Sequence, residues 1–199
     1  EKLDSKFIKL EFKEYKLLLL DTNVKHNLAN TEYNQRVNEC KESMQIINKL
    51  CKKKYTNLSQ VNRLDLSLSK EKLEGTLYKR ASYVFNENQR VINSVEFLKN
   101  NKLKEFGQLM YESHFGLKND YEVSCKELDF LVEYSMNYDQ ILGSRMMGGG
   151  FGGCTLSLIK DSLIDKFIKE IKQEYFSKFK RKLNPIIANL DQGIQMNLI

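Results

Sequence analysis

Histidine is scarce in this chain, and its cysteines are badly spaced for metal. Two histidines, His26 and His114, in 199 residues cannot make a metal site by themselves, and no carboxylate cluster with ligand spacing surrounds either. The four cysteines (40, 51, 125 and 154) form no CxxC pair, and each sits beside apolar helix or strand positions. That favours buried free thiols over a zinc framework or a disulfide scaffold. No apolar run reaches the roughly 18 residues that a membrane span needs, and no stretch resembles a signal peptide. A cytoplasmic protein without a membrane partner is expected. Internal repeats and low-complexity tracts are lacking as well, while 41% hydrophobic and 11% aromatic content supplies an ordinary core for one domain.

Basic charge is present without the motifs that would use it on nucleic acid. The net charge is +6, with the densest runs at Lys52–Lys54 and Lys178–Lys182. No DNA- or RNA-binding motif accompanies them, so a solvated lysine face is expected and nucleic acid is not expected as a partner. The same charge can still help gather an anionic nucleotide.

Glycine, by contrast, is concentrated. Five of the ten glycines lie between 148 and 153, in the stretch Gly143-Ser144-Arg145-Met146-Met147-Gly148-Gly149-Gly150-Phe151-Gly152-Gly153-Cys154. A globular fold places glycine where the backbone needs positive φ or close approach to another group. A phosphate-binding P-loop or a dinucleotide fingerprint would run from strand into helix. Here a β-type run, Cys154 to Ile159, follows instead. The spacing therefore predicts a wide, glycine-lined hairpin between two strands, with its bare backbone facing a ligand.

Around it the pattern alternates between long helices and few strands. Tyr15 to Thr22, with four successive leucines, reads as a strand buried on both faces. A helix follows from Asn30 or Thr31 to about Cys51, with Val37, Cys40, Met44 and Ile47 along one face. Residues 52–68 read as irregular, with a short helix from Ser67 or Ser69 through Leu73. A helix of about 24 residues then carries the stripe Leu77, Ala81, Val84, Val91, Val95 and Leu98, interrupted by Asn88, which reads as a hydrogen-bonded amide. Leu103, Phe106, Leu109 and Met110 carry the next helix, whose end presents Ser113 and His114. Ser124-Cys125-Lys126-Glu127 has capping-box spacing ahead of a helix with Leu128, Leu131, Val132 and Met136 inward. After the hairpin, Asp161 or Ser162 caps a helix with Leu163, Ile164, Phe167, Ile168, Ile171 and Tyr175 inward. Short strands are expected near Phe7–Leu10, at Pro185–Ala188 and at Ile194–Ile199. About five strands with five or six helices indicate α+β, an antiparallel sheet of about four to five strands with helices packed on one face.

The glycine-rich stretch closely resembles the third signature motif of the galactokinases, within the GHMP small-molecule kinases. Asn23-Val24-Lys25-His26-Asn27-Leu28-Ala29-Asn30-Thr31-Glu32-Tyr33 is similar to the segment after that family's domain crossover. Glu112-Ser113-His114 with Asp120 to Asp129 resembles the segment that precedes motif three. The resemblance implies the GHMP kinase C-terminal, ferredoxin-like domain over residues 15–199, with residues 1–14 a remnant of a preceding domain. It also implies transfer of the ATP γ-phosphate to the C1 hydroxyl of α-D-galactose, with Mg²⁺. Gly148, Gly149 and Gly150 would border the active-site cleft beside the sugar and γ-phosphate. Tyr33 matches the family tyrosine that packs against galactose, and a helix-start tyrosine stapling the core is the other reading. Asn23, Asn27, Asn30 and His26 share that loop, as cleft residues or as plain turn residues. Arg145 reads as a phosphate ligand or as a hairpin anchor. His114 reads as a structural histidine or as part of a polar network near the hairpin, and Asp120 and Glu122 as carboxylates supporting the site from behind.

The family's GRxNLIGEHTDY-like and PxGxGLSSSA-like segments do not occur here, nor does its reactive aspartate, which is expected upstream of residue 1. No catalytic residue is therefore assigned to this chain. Most contacts to ATP and Mg²⁺ are expected from the N-terminal half of the enzyme, and the chain alone is expected to be inactive. Another sugar 1-kinase, for N-acetylgalactosamine or arabinose, or a non-catalytic sugar sensor on the same fold, would share these motifs.

Overall fold

Four successive leucines nucleate the sheet. In the computed structural model, which describes residues 12–24 and 29–188, they lie on β1 (Tyr15–Asp21). Leu18 and Leu20 are fully buried on one side, while Leu17 and Leu19 are half-buried on the other. Antiparallel pairing then sets Leu18 opposite Ser157 and Leu19 opposite Leu156 on β3 (Cys154–Lys160). Next to β3 stands β2 (Ile141–Met147), and β4 (Asn184–Ala188) lines the far side of β1. The order β2-β3-β1-β4 is that of a ferredoxin-like sheet: β1 and β2 run parallel with β3 between them, and β3 and β4 with β1 between them.

Six helices fill the two crossovers. Between β1 and β2 come α1 (Ala29–Cys51), α2 (Arg63–Leu68), α3 (Thr76–Lys99), α4 (Leu103–Asn119) and α5 (Lys126–Ser135). Between β3 and β4 a single 3₁₀ turn, Asp161–Leu163, leads into α6 (Ile164–Phe179). Helices α5 and α6 cover the Leu18/Leu20 face. There Leu131, Phe167, Ile171 and Tyr175 make a core in which each fully buried large side chain contributes about 1.5–3 kcal/mol. Helix α4 runs along β2, and its Phe106 and Met110 reach Leu17, Leu156 and Leu158. Helices α1, α2 and α3 form a second layer with a core of their own around Ile47, Leu66, Leu73 and Ala81.

The expected four-to-five-stranded antiparallel sheet with packed helices is present, with four strands among the described residues. The helices are not confined to the one face expected: α5 and α6 cover Leu18 and Leu20, while Phe106 and Met110 of α4 reach Leu17 and Leu156 on the other. The strands expected near Phe7–Leu10 and at Ile194–Ile199 lie outside the described residues, as does most of the remnant assigned to residues 1–14. Five local readings change. Neither Asp161 nor Ser162 caps α6, because both lie in the 3₁₀ turn before it and Leu163 stands at its N-cap without a side-chain bond. The helix expected from Ser67 or Ser69 runs earlier, as α2, because the Asn62 side chain accepts the Asp65 N–H at 2.8 Å and caps it there. Leu73 follows in a turn. The Ser124 capping box does not form. Ser124 Oγ donates instead to Asp129 Oδ1 at 2.5 Å, and Cys125 stands at the helix N-cap. Val91 and Met136 are 58% and 51% exposed rather than inward. In the later turns of α3 Leu98 packs toward Met110 of α4 while Val91 faces away, and α5 ends before Met136.

Candidate active-site hairpin

The turn between β2 and β3 is built to hold an unusual backbone in place. Gly148, Gly150, Gly152 and Gly153 all have positive φ, as does Phe151 at 60°. Glycine adopts such angles freely, and a bulky residue holds them only when its surroundings fix it. Phe151 is fixed on two sides. Its N–H donates to Val123 O at 2.7 Å, and its ring packs beside Met146, Leu128 and Tyr83. Gly150 lies under the same carbonyl, where an added Cβ would come within 2.1 Å of Val123 O. At the far end, the Thr22 N–H and Oγ1 both donate to Gly153 O, at 2.9 and 2.8 Å.

Gly148 and Gly149 differ from these. Both are exposed, and a Cβ on either would meet nothing within 4 Å. Gly148 is explained by its φ of 89°. Gly149 has no positive φ, and among the described residues nothing lies within 4 Å of where its Cβ would stand, so these residues give no reason for a glycine there. An external group approaching the backbone would give one.

The remaining sequence-expected residues sort by their partners. Tyr33 stands on the first turns of α1, 58% exposed. It does not staple the core. Arg145 is an anchor. Its guanidinium reaches Glu87 Oε1 on α3 at 3.2 Å and donates to the Met146 carbonyl at 3.1 Å. Glu87 also accepts from Ser113 Oγ at 2.6 Å and from Arg90 at 2.7 Å. Burial pushes the Glu87 carboxyl up, but these donors hold it below the usual carboxylate range.

His114 is fully buried behind β2, where Nδ1 accepts the Met146 N–H at 3.3 Å. Its Nε2 lies 3.3 Å from Asp129 Oδ1, poorly aligned for a hydrogen bond. This is a structural histidine that fixes the strand leading into the hairpin. Asn88 donates to Ser59 O at 3.3 Å. Asn23 sits at the end of β1 with φ of 54°, its N–H bonded to Asp21 Oδ1. His26 and Asn27, and the side chain of Asn30, lie outside the described residues.

Two residues escaped sequence reasoning. Arg80 is 1% exposed and Arg36 8% exposed, each at the junction of α1, α3 and the segment 120–123. Arg80 Nε donates to Glu39 Oε2 at 2.7 Å and Nη2 to Glu122 Oε2 at 2.8 Å, while Nη1 takes the Asp120 carbonyl. Arg36 donates from Nε to Tyr121 O at 2.7 Å and from Nη2 to Glu122 O at 3.0 Å. Glu122 thus supports the region through its ion pair, and Asp120 through its peptide oxygen alone. A signal existed: Arg80 lies on the apolar stripe, three residues after Leu77 and four before Val84. A cation on such a stripe has to find buried partners.

Among the described residues no three His, Cys, Asp or Glu side chains converge to hold a metal ion, and no helix is long and apolar enough to cross a membrane.

Comparison with known proteins places this geometry. The family model for the C terminal of the GHMP kinases matches residues 94–178, from the end of α3 through the hairpin to α6. Galactokinase of Thermosipho africanus is 40% identical over 177 residues, covering 89% of this chain and 48% of that protein. Galactokinase of Thermotoga neapolitana is 39% identical over 193 residues, covering 97% and 52%. The crystal structure of Lactococcus lactis galactokinase complexed with galactose superposes with a TM-score of 0.89 at 28% identity, over 95% of this chain and 48% of that one. The chain spans about half the length of the curated relatives it matches.

Proposed function

The chain belongs to the GHMP kinases, on their galactokinase branch, and we propose that it is the C-terminal domain of an enzyme that phosphorylates galactose at C1. In that reaction the sugar C1 hydroxyl oxygen attacks the ATP γ-phosphorus. The bond from that phosphorus to the bridging oxygen of ADP breaks, and the hydroxyl proton is lost. Little of this is covalent work for the protein. The acceptor must be held in line, and N–H donors must surround the transferring group.

This chain would contribute one wall of the cleft. Gly148 and Gly149 would bring bare backbone against the sugar and γ-phosphate, and Tyr33 would lay its ring on the sugar. The observation that carries this is Gly149, a glycine demanded by neither φ nor neighbours, at the tip of a hairpin fixed at both ends. The acid–base carboxylate and the main ATP contacts would come from an N-terminal half. Mg²⁺, which would offset the charge of the transferring phosphates, would likewise be held mainly by that half.

The full-length protein is expected to phosphorylate galactose with ATP, and these 199 residues alone to show no turnover. Binding of galactose without phosphorylation would replace the kinase with a sensor. Preferential turnover of N-acetylgalactosamine or arabinose would change the sugar and keep the mechanism.

A further inference from the structure

Four consecutive peptide oxygens, from residues 120 to 123, face in two directions. The first three accept from arginines on two helices: Asp120 O from Arg80, and Tyr121 O and Glu122 O from Arg36. The fourth, Val123 O, accepts the Phe151 N–H and lies over Gly150. Glu39 ties the two guanidinium groups together, bonding Arg80 at 2.7 Å and Arg36 at 3.1 Å. The segment cannot hold this course by its own backbone preference, because Glu122 has a φ of 54°. Arg36 also lies one helical turn after Tyr33, so the same helix start carries the candidate sugar contact and the clamp.

We propose that Arg36 and Arg80 are positioning residues for the candidate site. They grip segment 120–123 and thereby set where the Gly148–Gly153 hairpin stands relative to the first turns of α1. Neither guanidinium touches the hairpin. Both act through the next carbonyl along the chain, and a misplaced hairpin costs turnover because in-line geometry tolerates little displacement. A lysine cannot replace either arginine, since a point charge does not span several acceptors at fixed angles. The consequence for turnover rests on the kinase reading, whereas the mechanical coupling does not.

Hydrogen exchange and steady-state kinetics on the full-length protein separate the two. In Arg36→Lys and Arg80→Lys, the amide of Phe151 is expected to exchange about tenfold faster while α6 amides keep their parental rates. Turnover is expected to fall about tenfold with the galactose KM changed less than about threefold. Because Arg80 is 1% exposed, its variant can unfold outright. Glu122→Gln then serves, removing one carboxylate from Arg80 with both arginines in place, and about threefold faster exchange at Phe151 is expected. Parental protection of Phe151 in all soluble variants overturns the proposal, as does unchanged kcat in a variant whose hairpin has loosened. Faster exchange in a protein whose parent phosphorylates no galactose sustains the coupling and removes the kinase reading instead.

Discussion

Gly107 and Gly143 meet where α4 crosses β2. A Cβ added to Gly107 would lie 2.0 Å from Leu142 O, and one added to Gly143 would lie 2.2 Å from Gly107 O. Just past the end of the same strand, a Cβ added to Gly149 would meet nothing within 4 Å among the described residues. Both places use glycine, for opposite reasons. At the crossing the molecule supplies the other backbone, so the residue is accounted for by packing and by nothing outside the chain. At the hairpin tip the described residues supply no second surface, and in the proposed reading the missing side chain leaves room for a group that arrives from outside. Gly150 stands between the two cases, pressed under Val123 O and also at a φ of 87°.

The largest effect is expected at the crossing. Gly143→Ala drives a methyl into main chain that cannot rotate away, and a loss of about 3 kcal/mol of stability is expected in urea unfolding. An unchanged midpoint would mean that α4 and β2 stand further apart than the 2.2 Å clash implies. Gly149→Val is the contrast. Stability is expected to stay within about 0.5 kcal/mol of the parent. In the full-length enzyme kcat/KM is expected to fall about a hundredfold, or about 2.7 kcal/mol of transition-state stabilisation. Normal turnover in that variant would move the reacting groups away from the tip. Tyr33→Ala comes next. With 58% of Tyr33 exposed, little core packing is lost. The galactose KM is expected to rise about tenfold with the ATP KM unchanged, and an unaltered galactose KM would remove the residue from the sugar side.

Much of this was legible before any coordinates. The strand-glycine-strand order of residues 141–159 excluded the helix-linked phosphate loops, and the 3–4 stripes of α1 and α6 marked their buried faces well. What could not be read was partnership between segments distant in sequence. Arg36 and Arg80 find the carbonyls of residues 120–122 only after α1, α3 and the end of α4 have packed. The Ser124 capping box failed for the same reason. Asp129, drawn between His114 and Lys118, was there to take the serine hydroxyl that local spacing assigned to the helix end. At the tip, spacing marked three glycines alike, and it is φ and the surroundings that separate Gly149 from Gly150.

Acid gives the smallest and most selective way to pull the two glycine sites apart. The fit at Gly107 and Gly143 is steric and carries no proton. The hairpin's support does, through Glu39 and Glu122 behind segment 120–123 and through Glu87, which holds Arg145. Burial pushes Glu39 up, but the Arg80 bond and the charges of Arg80 and Arg36 bring it below its ordinary 4.5. Glu122 is lowered chiefly by its bond to Arg80, against its own desolvation, with Lys79 and Arg36 adding to the effect. A carboxyl whose folded pKa lies below its unfolded one stabilises the fold above the unfolded value, and that contribution is lost as pH falls through the folded value. The contribution of these carboxylates should therefore stay constant between neutrality and about pH 5. Below the ordinary carboxylate range the clamp on segment 120–123 is expected to weaken, and protection of the Phe151 amide to drop before that of Leu158 in the adjoining sheet. Glu39→Gln should abolish part of that pH dependence by leaving the clamp weakened at every pH. If Phe151 and Leu158 lose protection together on acidification, the hairpin is held by the same packing as the crossing, and the distinction between a fitted glycine and an open one ends at the side chain.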